Sequence, residues 1–476
     1  MAEQRVVIGV DSSTQSTKAV AVDIDTGAVV GQGRAAHTVS EGAGRESDPE
    51  QWWRAFGEAV AGTGWADRAA AVSIAGQQHG LVTLDAAGRP VRPALLWNDV
   101  RSAPQAAELR AAFGAAELAR RTGSMPTAAF TAPKWAWLRA NEPAAAEQVA
   151  AVRLPHDFLT ERLTGEAVTD RGDVSGTGWW GPDGYDQDIL ARIGLDPVLL
   201  PQVLPPGARA GVVRPGLPLR QGTPVATGTG DNMAAALGLG LMPGQPVLSL
   251  GTSGTVYAVG RDRPADPSGT VAGFADALGG WLPLACTLNC TLAVDRFATL
   301  LGRDRDEVED GGTVVVLPYL DGERTPDLPG ASGLVHGLRH DTTPGQLLQA
   351  AYDGAAHALL TALDGVLRAG GEDPAGDEPL VLIGGGARGR AWQQTVLRLS
   401  GRAVQVPDAQ ELVALGAAAQ AAALLTGEPA DAVARRWRTA EGPVLEAVKK
   451  DDDALERIGD TLRRAGALQG APAEGQ

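Results

Sequence analysis

Residues 225–240, VATGTGDNMAAALGLG, put one carboxylate, Asp231, between a Gly/Thr-rich run and a helix of small residues. Glycine ahead of the acid lets a substrate or another backbone come close, and a helix opening at Asn232 offers its positive end. A carboxylate so placed stays ionised yet can accept a proton. That is the task of a base deprotonating an alcohol as it attacks a γ-phosphoryl group. An ordinary N-cap aspartate would use the same flanking residues, and at this point both readings stand. Two further turns are rich in hydroxyls: Ser12, Ser13, Thr14 and Thr17 after VVIGVD, and Thr252, Ser253 and Thr255 after VLSLG. Successive backbone N–H groups in such turns form anion nests suited to phosphates. Asp11 ends the first of these strands and Lys18 follows it. A carboxylate beside a phosphate-binding turn needs a cation between them, and Mg²⁺, which keeps its waters and takes one or two carboxylates, fits.

A third turn, LVLIGGGARG, places Gly384, Gly386 and Gly389 in the order G-x-G-x-x-G, with Asp408 closing the next strand. This pattern raises an NAD-linked oxidoreductase as a rival from another class. That rival leaves both Thr-rich hairpins and Asp231 without a purpose. The alternative is that the glycine turn flanks an adenosine whose phosphates the hairpins take. Two polar clusters follow apolar strands in the first half: Gln77, Gln78 and His79 in GQQHG, and Trp97, Asn98, Asp99 and Arg101 in LLWNDVR. Amide, imidazole and carboxylate groups at strand ends suit a polyhydroxylated ligand, because each sugar hydroxyl both donates and accepts. Alone, His79 reads as a structural histidine; beside two glutamines at a strand end it reads as a ligand contact.

The elements that must position these residues alternate between strand and helix, as in an α/β protein. Strand runs include RVVIGVD, AAVSIAG, QPVLSLG, TVVVLPYL and PLVLIGGG. Helix starts are marked by Asp48, Pro49 and Gln51, by Thr343, Pro344 and Gln346, and by Asp408 with Glu411. Trp52, Phe56 and Val60 fall on one face of the first of these helices. The strand–turn–strand plan of residues 6–23 returns at 246–260, which suggests a duplicated domain joined near 238–246. From about Arg464 the chain loses periodicity and is expected to be disordered.

Composition sets the outer limits. The chain has 476 residues, 44% of them hydrophobic, enough for two or three domains. Its 62 glycines suggest many close turns, and a net charge of −16 argues against nucleic acid as a partner. No basic-then-apolar leader and no apolar run of ~18 residues is present, so a cytoplasmic protein without a membrane partner is expected. Cys286 and Cys290, in CTLNC, make a poor zinc site without further ligands and are expected to be ordinary thiols.

Taken in order, GVDSSTQSTK, ESDPEQWW, GQQHG, LLWNDVR, FTAPKWAWL, GTGDNMAAALG, LSLGTSG, YLDGERTP, GLVHGLRHDTTPGQLLQAAYDG and LIGGGAR resemble the FGGY carbohydrate kinase family. The resemblance runs from the first strand to about residue 425. It implies two ribonuclease H-like domains of the actin-type ATPase superfamily around a central cleft. Residues 1–240 would bind mainly the sugar and residues 246–476 mainly ATP. Asp231 would be the general base for the sugar's terminal hydroxyl. Gln78, His79 and Asn232 would contact the sugar, alongside the Trp97 and Asp99 of the second polar cluster. Ser13, Thr14, Lys18, Gly251, Thr252, Gly384, Gly385 and Gly386 would bind ATP, and Asp11 with Asp231 would hold Mg²⁺ through water. The implied cofactors are ATP and Mg²⁺. The implied partner is a small sugar, and a homodimer is compatible with the resemblance.

Four positions depart from the family's usual pattern. Gln78 stands where many members have Met, and Ser13 occupies a usual glycine. His156 replaces a frequent Lys, and Ala129 replaces the Gly before FTAPK. None of these removes a catalytic group.

Overall fold

The computed structural model describes residues 5–40 and 44–469. The run VVIGVDS is buried at every position and forms β1 (Val6–Ser12), which turns at once into β2 (Ser16–Asp23) and then β3 (Val29–Ala36). The wholly buried AVSIAG forms β4 (Ala71–Gly76), parallel to β1. With β5 (Arg209–Val212) and β6 (Pro224–Ala226) the sheet runs β5-β6-β4-β1-β2-β3, and the short β7 (Thr229–Gly230) also pairs with β4.

A second sheet repeats this plan. Its strands are β8 (Pro246–Leu250), β9 (Gly254–Ala258), β10 (Ala272–Ala275), β11 (Trp281–Thr287), β12 (Leu380–Ile383), β13 (Val404–Gln405) and β14 (Val444–Leu445). They lie in the order β10-β11-β9-β8-β12-β13-β14. In each sheet an opening hairpin extends to a third antiparallel strand, and the first strand pairs in parallel with one that arrives after a helix. The echo between residues 6–23 and 246–260 is therefore an echo of whole sheets.

The helices cover the faces as their apolar spacing requires. α1 (Pro49–Gly62) starts at Asp48, whose side chain accepts from Glu50 N, and buries Trp52, Phe56 and Val60. α2 (Asp231–Gly238) and α3 (Pro344–Ala369) follow, the latter opened by the Thr343/Gln346 capping box. α4 (Leu412–Thr426) belongs to the second half of the chain yet lies on β1 and α2. A Cβ at Gly9 would come within 1.9 Å of the Ala414 carbonyl oxygen, so β1 has a glycine where the helix touches it. Trp437 continues this return by donating from Nε1 to Ile24 O at 2.9 Å.

Two expectations are corrected. α4 is not capped by Asp408: it begins after Glu411, which sits in the left-handed region at φ 56° and makes no side-chain cap. The Glu411 carboxylate is instead held by Lys18. The chain from Arg464 is also not loose throughout. Residues 465–469 form turns that end on Gln469, whose buried side chain accepts from Ser332 N at 3.2 Å. Residues 470–476 of that tail lie outside the described residues. Cys286 and Cys290 are free thiols. Among the described residues no single helix is long and apolar enough to cross a membrane.

Candidate active site

The parallel strands β1, β4 and β7 end side by side, with Ser12 paired to Gly76 and Gly76 to Gly230. Asp11, Gln78 and Asp231 thereby reach one edge of the sheet. Asp231 is the first residue of α2, one position later than a cap, and Gly230 is the N-cap. Its Oδ1 accepts from Asn232 N at 2.8 Å and from Asn232 Nδ2 at 3.0 Å. Burial pushes its pKa up to about 6, against the opposing pull of the Asn232 backbone hydrogen bond. The carboxyl is thus poised near neutrality, where a general base works.

Asp11 is pushed up to about 7, by burial first and by the charge of Asp231 second, with Lys18 opposing. Its Oδ1 is buried without a hydrogen-bond partner. Two mutually repelling carboxylates, one with an orphaned oxygen, form a donor set that fits Mg²⁺. Among the described residues no cluster of three or more His, Cys, Asp or Glu could hold a metal.

On one side of this pair lies a cavity of about 520 Å³, lined by Gln78, His79, Trp97, Asp231 and Asn232 among others. His79 adopts φ 66° and sets Nδ1 2.7 Å from Gly176 O. A carbonyl can only accept, so Nδ1 carries the proton and Nε2 is left as an acceptor. Burial, helped by the Lys134 charge, drives the His79 pKa down to about 3, so the ring is neutral. It stacks on Phe130 with centroids 4.9 Å apart and tilts against Phe274 at 5.5 Å. Phe130 and Phe274 also touch each other, at 6.1 Å, and a neutral ring with one free acceptor in such an aromatic cluster suits the alternating C–H and O–H surface of a sugar.

Trp97 is 41% exposed and donates from Nε1 to Thr14 Oγ1 at 3.1 Å, tying the cavity to the first hydroxyl turn. Asp99 is not brought to the cavity, which corrects its expected sugar contact. Its oxygens accept from Arg45 N and Arg101, so it braces Arg101 from within the protein.

On the other side lies a crevice of about 510 Å³ lined by Asp11, Lys18, Gly384, Gly385, Arg388 and Glu411. Gly384 needs φ 86°, and Gly386 N donates to Leu250 O at 2.8 Å, so the turn after β12 folds onto the end of β8. Gly385 has open space where a Cβ would stand. Thr252 is exposed, and the neighbouring Gly251 O accepts from Thr291 Oγ1 at 2.8 Å. Ser13 turns its hydroxyl into its own hairpin, donating to Ser16 O at 2.9 Å. Lys18 is not free: its Nζ lies 2.6 Å from Glu411 Oε2. The glycine turn thus belongs to a sheet with antiparallel strands on both flanks, which is not the wholly parallel sheet of a dinucleotide fold.

Three supporting groups escaped sequence reasoning. Lys134, 1% exposed, donates to the carbonyls of Ala128 (2.9 Å), Ala129 and Phe130 (3.3 Å), and so shapes the cavity wall. Burial lowers its pKa to about 7. Glu323 receives Leu288 N, Asn289 N and Arg324 N, fixing the loop that carries Arg324 to the cavity. Asp170 accepts from Thr229 Oγ1 at 2.7 Å and lies 3.2 Å from His156 Nε2, bracing the turn ahead of Asp231 from behind. The FTAPK, YLDGERTP and LPHDFL runs were visible signals, but nothing in them said which residue faces inward.

Comparisons with known proteins show the family to which the chain belongs. The family model for the N-terminal domain of FGGY carbohydrate kinases matches residues 6–238, and that for the C-terminal domain matches residues 247–425. The chain is similar to a xylulose kinase of Streptomyces coelicolor, 69% identical over 98% of each chain. Among solved structures it resembles a xylulose kinase from Bifidobacterium adolescentis, with TM-score 0.86 at 34% identity, covering 96% of this chain and 99% of that one. It also shares the fold of a gluconate kinase from Lactobacillus acidophilus, with TM-score 0.90 at 20% identity, covering 98% of this chain and 99% of that one.

Proposed function

We propose, for a chain that belongs to the FGGY family of carbohydrate kinases, that it transfers the γ-phosphoryl group of ATP to the C5 hydroxyl of D-xylulose, giving D-xylulose 5-phosphate and ADP. The choice of sugar is supported by the 69% identity to a xylulose kinase over nearly the whole chain. The chemistry is supported by one observation above the others. Asp231 lines the cavity beside His79, and its charge is felt by Asp11, which lines the crevice. Asn232 engages Oδ1 of Asp231. Oδ2 is then the oxygen that takes the proton of the C5 hydroxyl as its O–P bond forms and the bond to ADP breaks.

Phosphoryl transfer needs little covalent help, so positioning comes first. Residues 1–240 take mainly the sugar and residues 246–476 mainly the nucleotide. His79 Nε2 accepts from a sugar hydroxyl, and Phe130 and Phe274 fix the ring that carries it. The hydroxyl turns at Ser13–Thr14 and Gly251–Thr252 supply backbone N–H groups to the phosphates. Gly384, Gly385 and Gly386 leave room for the adenosine, and Lys18 must exchange Glu411 for a phosphate oxygen. Asp11 and Asp231 would hold Mg²⁺, which when bound neutralises charge on the phosphates. The expected place of the reaction is the cytoplasm. A coupled assay of ADP release over D-xylulose, D-ribulose, gluconate and glycerol tests the reading. The highest kcat/KM is expected with D-xylulose, and a higher value with any other sugar overturns the substrate.

A further inference from the structure

α4 comes from the second half of the chain, and its first residues, Leu412 and Val413, line the nucleotide crevice. Further along it meets α2 backbone to backbone: a Cβ at Gly416 would come within 1.8 Å of Ala234 O, and one at Gly238 within 2.1 Å of Leu412 O. Gln420, half-buried on the same helix, reaches the first sheet. Its Oε1 accepts from the buried Ser73 Oγ of β4 at 3.0 Å, and its Nε2 donates to Gly228 O at 3.3 Å. A carbonyl only accepts, so the NH₂ must face Gly228 and the amide oxygen must face the serine.

Gly228 opens the turn that leads into β7 and Asp231. It holds φ 79°, and a Cβ there would come within 2.2 Å of Ile74 O, so the turn is pressed onto β4 in a conformation that glycine takes readily. The N-cap of α2 is Gly230, which has no side chain to fix the start of that helix. The place of Asp231 therefore depends on what holds the turn from outside. Asp170 grips it from the first half, through Thr229 Oγ1 at 2.7 Å. Gln420 grips it from the second half, 192 positions along the chain. We propose that Gln420 is a positioning residue for the transfer: by holding the Gly228 carbonyl it sets Asp231 against the crevice that α4 lines. The inference rests on the proposed reading of Asp231 as the base, and its test keeps the two apart.

The full-length enzyme is compared as wild type, Gln420→Met, Gln420→Leu and Ser73→Ala, with ATP and D-xylulose. Methionine and leucine keep the apolar bulk and remove both arms of the amide, whereas Ser73→Ala removes only the arm to β4. A misplacement of about 1 Å can cost about 100-fold, and Asp170 still holds the turn, so kcat is expected to fall about 10-fold in both Gln420 variants. Both KM values should stay within about threefold, since neither variant touches a substrate. Ser73→Ala is expected to lower the denaturant midpoint as the Gln420 variants do, yet to keep kcat within about twofold. Hydrogen exchange of the amides at 228–230 should quicken about fivefold or more in the Gln420 variants and stay unchanged in Ser73→Ala. Either Gln420 variant decides the matter if the other fails to fold. A kcat within about twofold of wild type in a Gln420 variant, an equal loss of kcat in Ser73→Ala, or unchanged exchange at 228–230 overturns the proposal. Full turnover in Asp231→Asn would instead overturn the base assignment alone, because exchange reads the grip on Gly228 without turnover.

Discussion

Replacing Asp231 by asparagine changes one oxygen for nitrogen and keeps the volume. The new amide oxygen can still accept from Asn232 N, as Oδ1 does at 2.8 Å, so α2 and the cavity wall should stand. What is lost is the free Oδ2 and its capacity for a proton. General-base action is worth about 10²–10⁴-fold, or about 3–5.5 kcal/mol of barrier, and kcat should fall by that factor. KM for both substrates should stay within about threefold, because positioning is left to other residues. The pH profile gives a second, independent signature. Burial holds the Asp231 pKa up at about 6, so below that pH the carboxyl is protonated and cannot act as a base. Wild-type kcat should therefore fall about tenfold per pH unit on the acid side and level off above neutrality. The Asn variant should show a low, flat profile through the same range. Steady-state kinetics with a coupled ADP assay, with calorimetry for sugar binding, measures all of this. Near-normal kcat in the variant, or an acid limb that survives the substitution, would refute the assignment.

Other consequences can be checked separately. Gly273 N donates to Gly123 O at 3.0 Å and Arg171 reaches Gly280 O at 2.8 Å, so the second half already grips the first at one end of the cavity. Solution scattering with D-xylulose and a non-hydrolysable ATP analogue should show a smaller radius of gyration; an unchanged radius speaks against closure. Gly9→Ala would force its Cβ to within 1.9 Å of Ala414 O and push α4 off the sheet. A loss of about 2–5 kcal/mol is expected in denaturant unfolding, and a change below about 0.5 kcal/mol would contradict the contact. Asp157 is held by burial at about 8 against 3.8 for a free side chain, so the folded state keeps a proton that the unfolded chain releases. The stability tied to that proton is fully present below the unfolded value and is lost as pH rises toward the folded one. Asp157→Asn should therefore stabilise the fold increasingly from acid to mildly alkaline pH, by at most about 4 kcal/mol at neutrality. Denaturant unfolding across that range checks it, and a gain independent of pH would contradict it.

The sequence announced most of the sheet framework because its signals are local. VVIGVDS and AVSIAG can hide on both faces only inside a sheet, and the Pro49 and Pro344 helix starts need no distant partner. Gln78, His79 and Asp231 stand out as polar groups because a polar cluster directly after a buried strand has few structural uses. Asp99 misleads for the same reason. Its place after LLWN looks like that of a strand-end ligand, but Arg101, two positions on, satisfies it from inside. Glu411 misleads because a cap is judged from neighbours in sequence, whereas its partner Lys18 comes from the opposite end of the chain. Lys134 is hidden because a lysine is ordinarily counted as surface. Here three carbonyls gather on its ammonium, and no local pattern encodes that.

The meeting of Asp11, Gln78 and Asp231 follows from strand direction more than from any of these contacts. β1, β4 and β7 are parallel neighbours in register, so the residues following them must emerge on the same edge whatever the length of chain between them. The second sheet obeys the same rule: β8 and β12 are parallel, and Gly251 and Gly384 emerge together where Gly386 N binds Leu250 O. Ligands of open α/β sheets gather at such carboxyl ends, where successive backbone N–H groups have no strand partner. Two sheets of one plan therefore offer two such edges. α4, running from the crevice of the second onto β1 and α2 of the first, links them mechanically. Glu411, just before α4, is paired with Lys18 on β2 at 2.6 Å, so the same helix start is tied to the first sheet by charge as well as by packing.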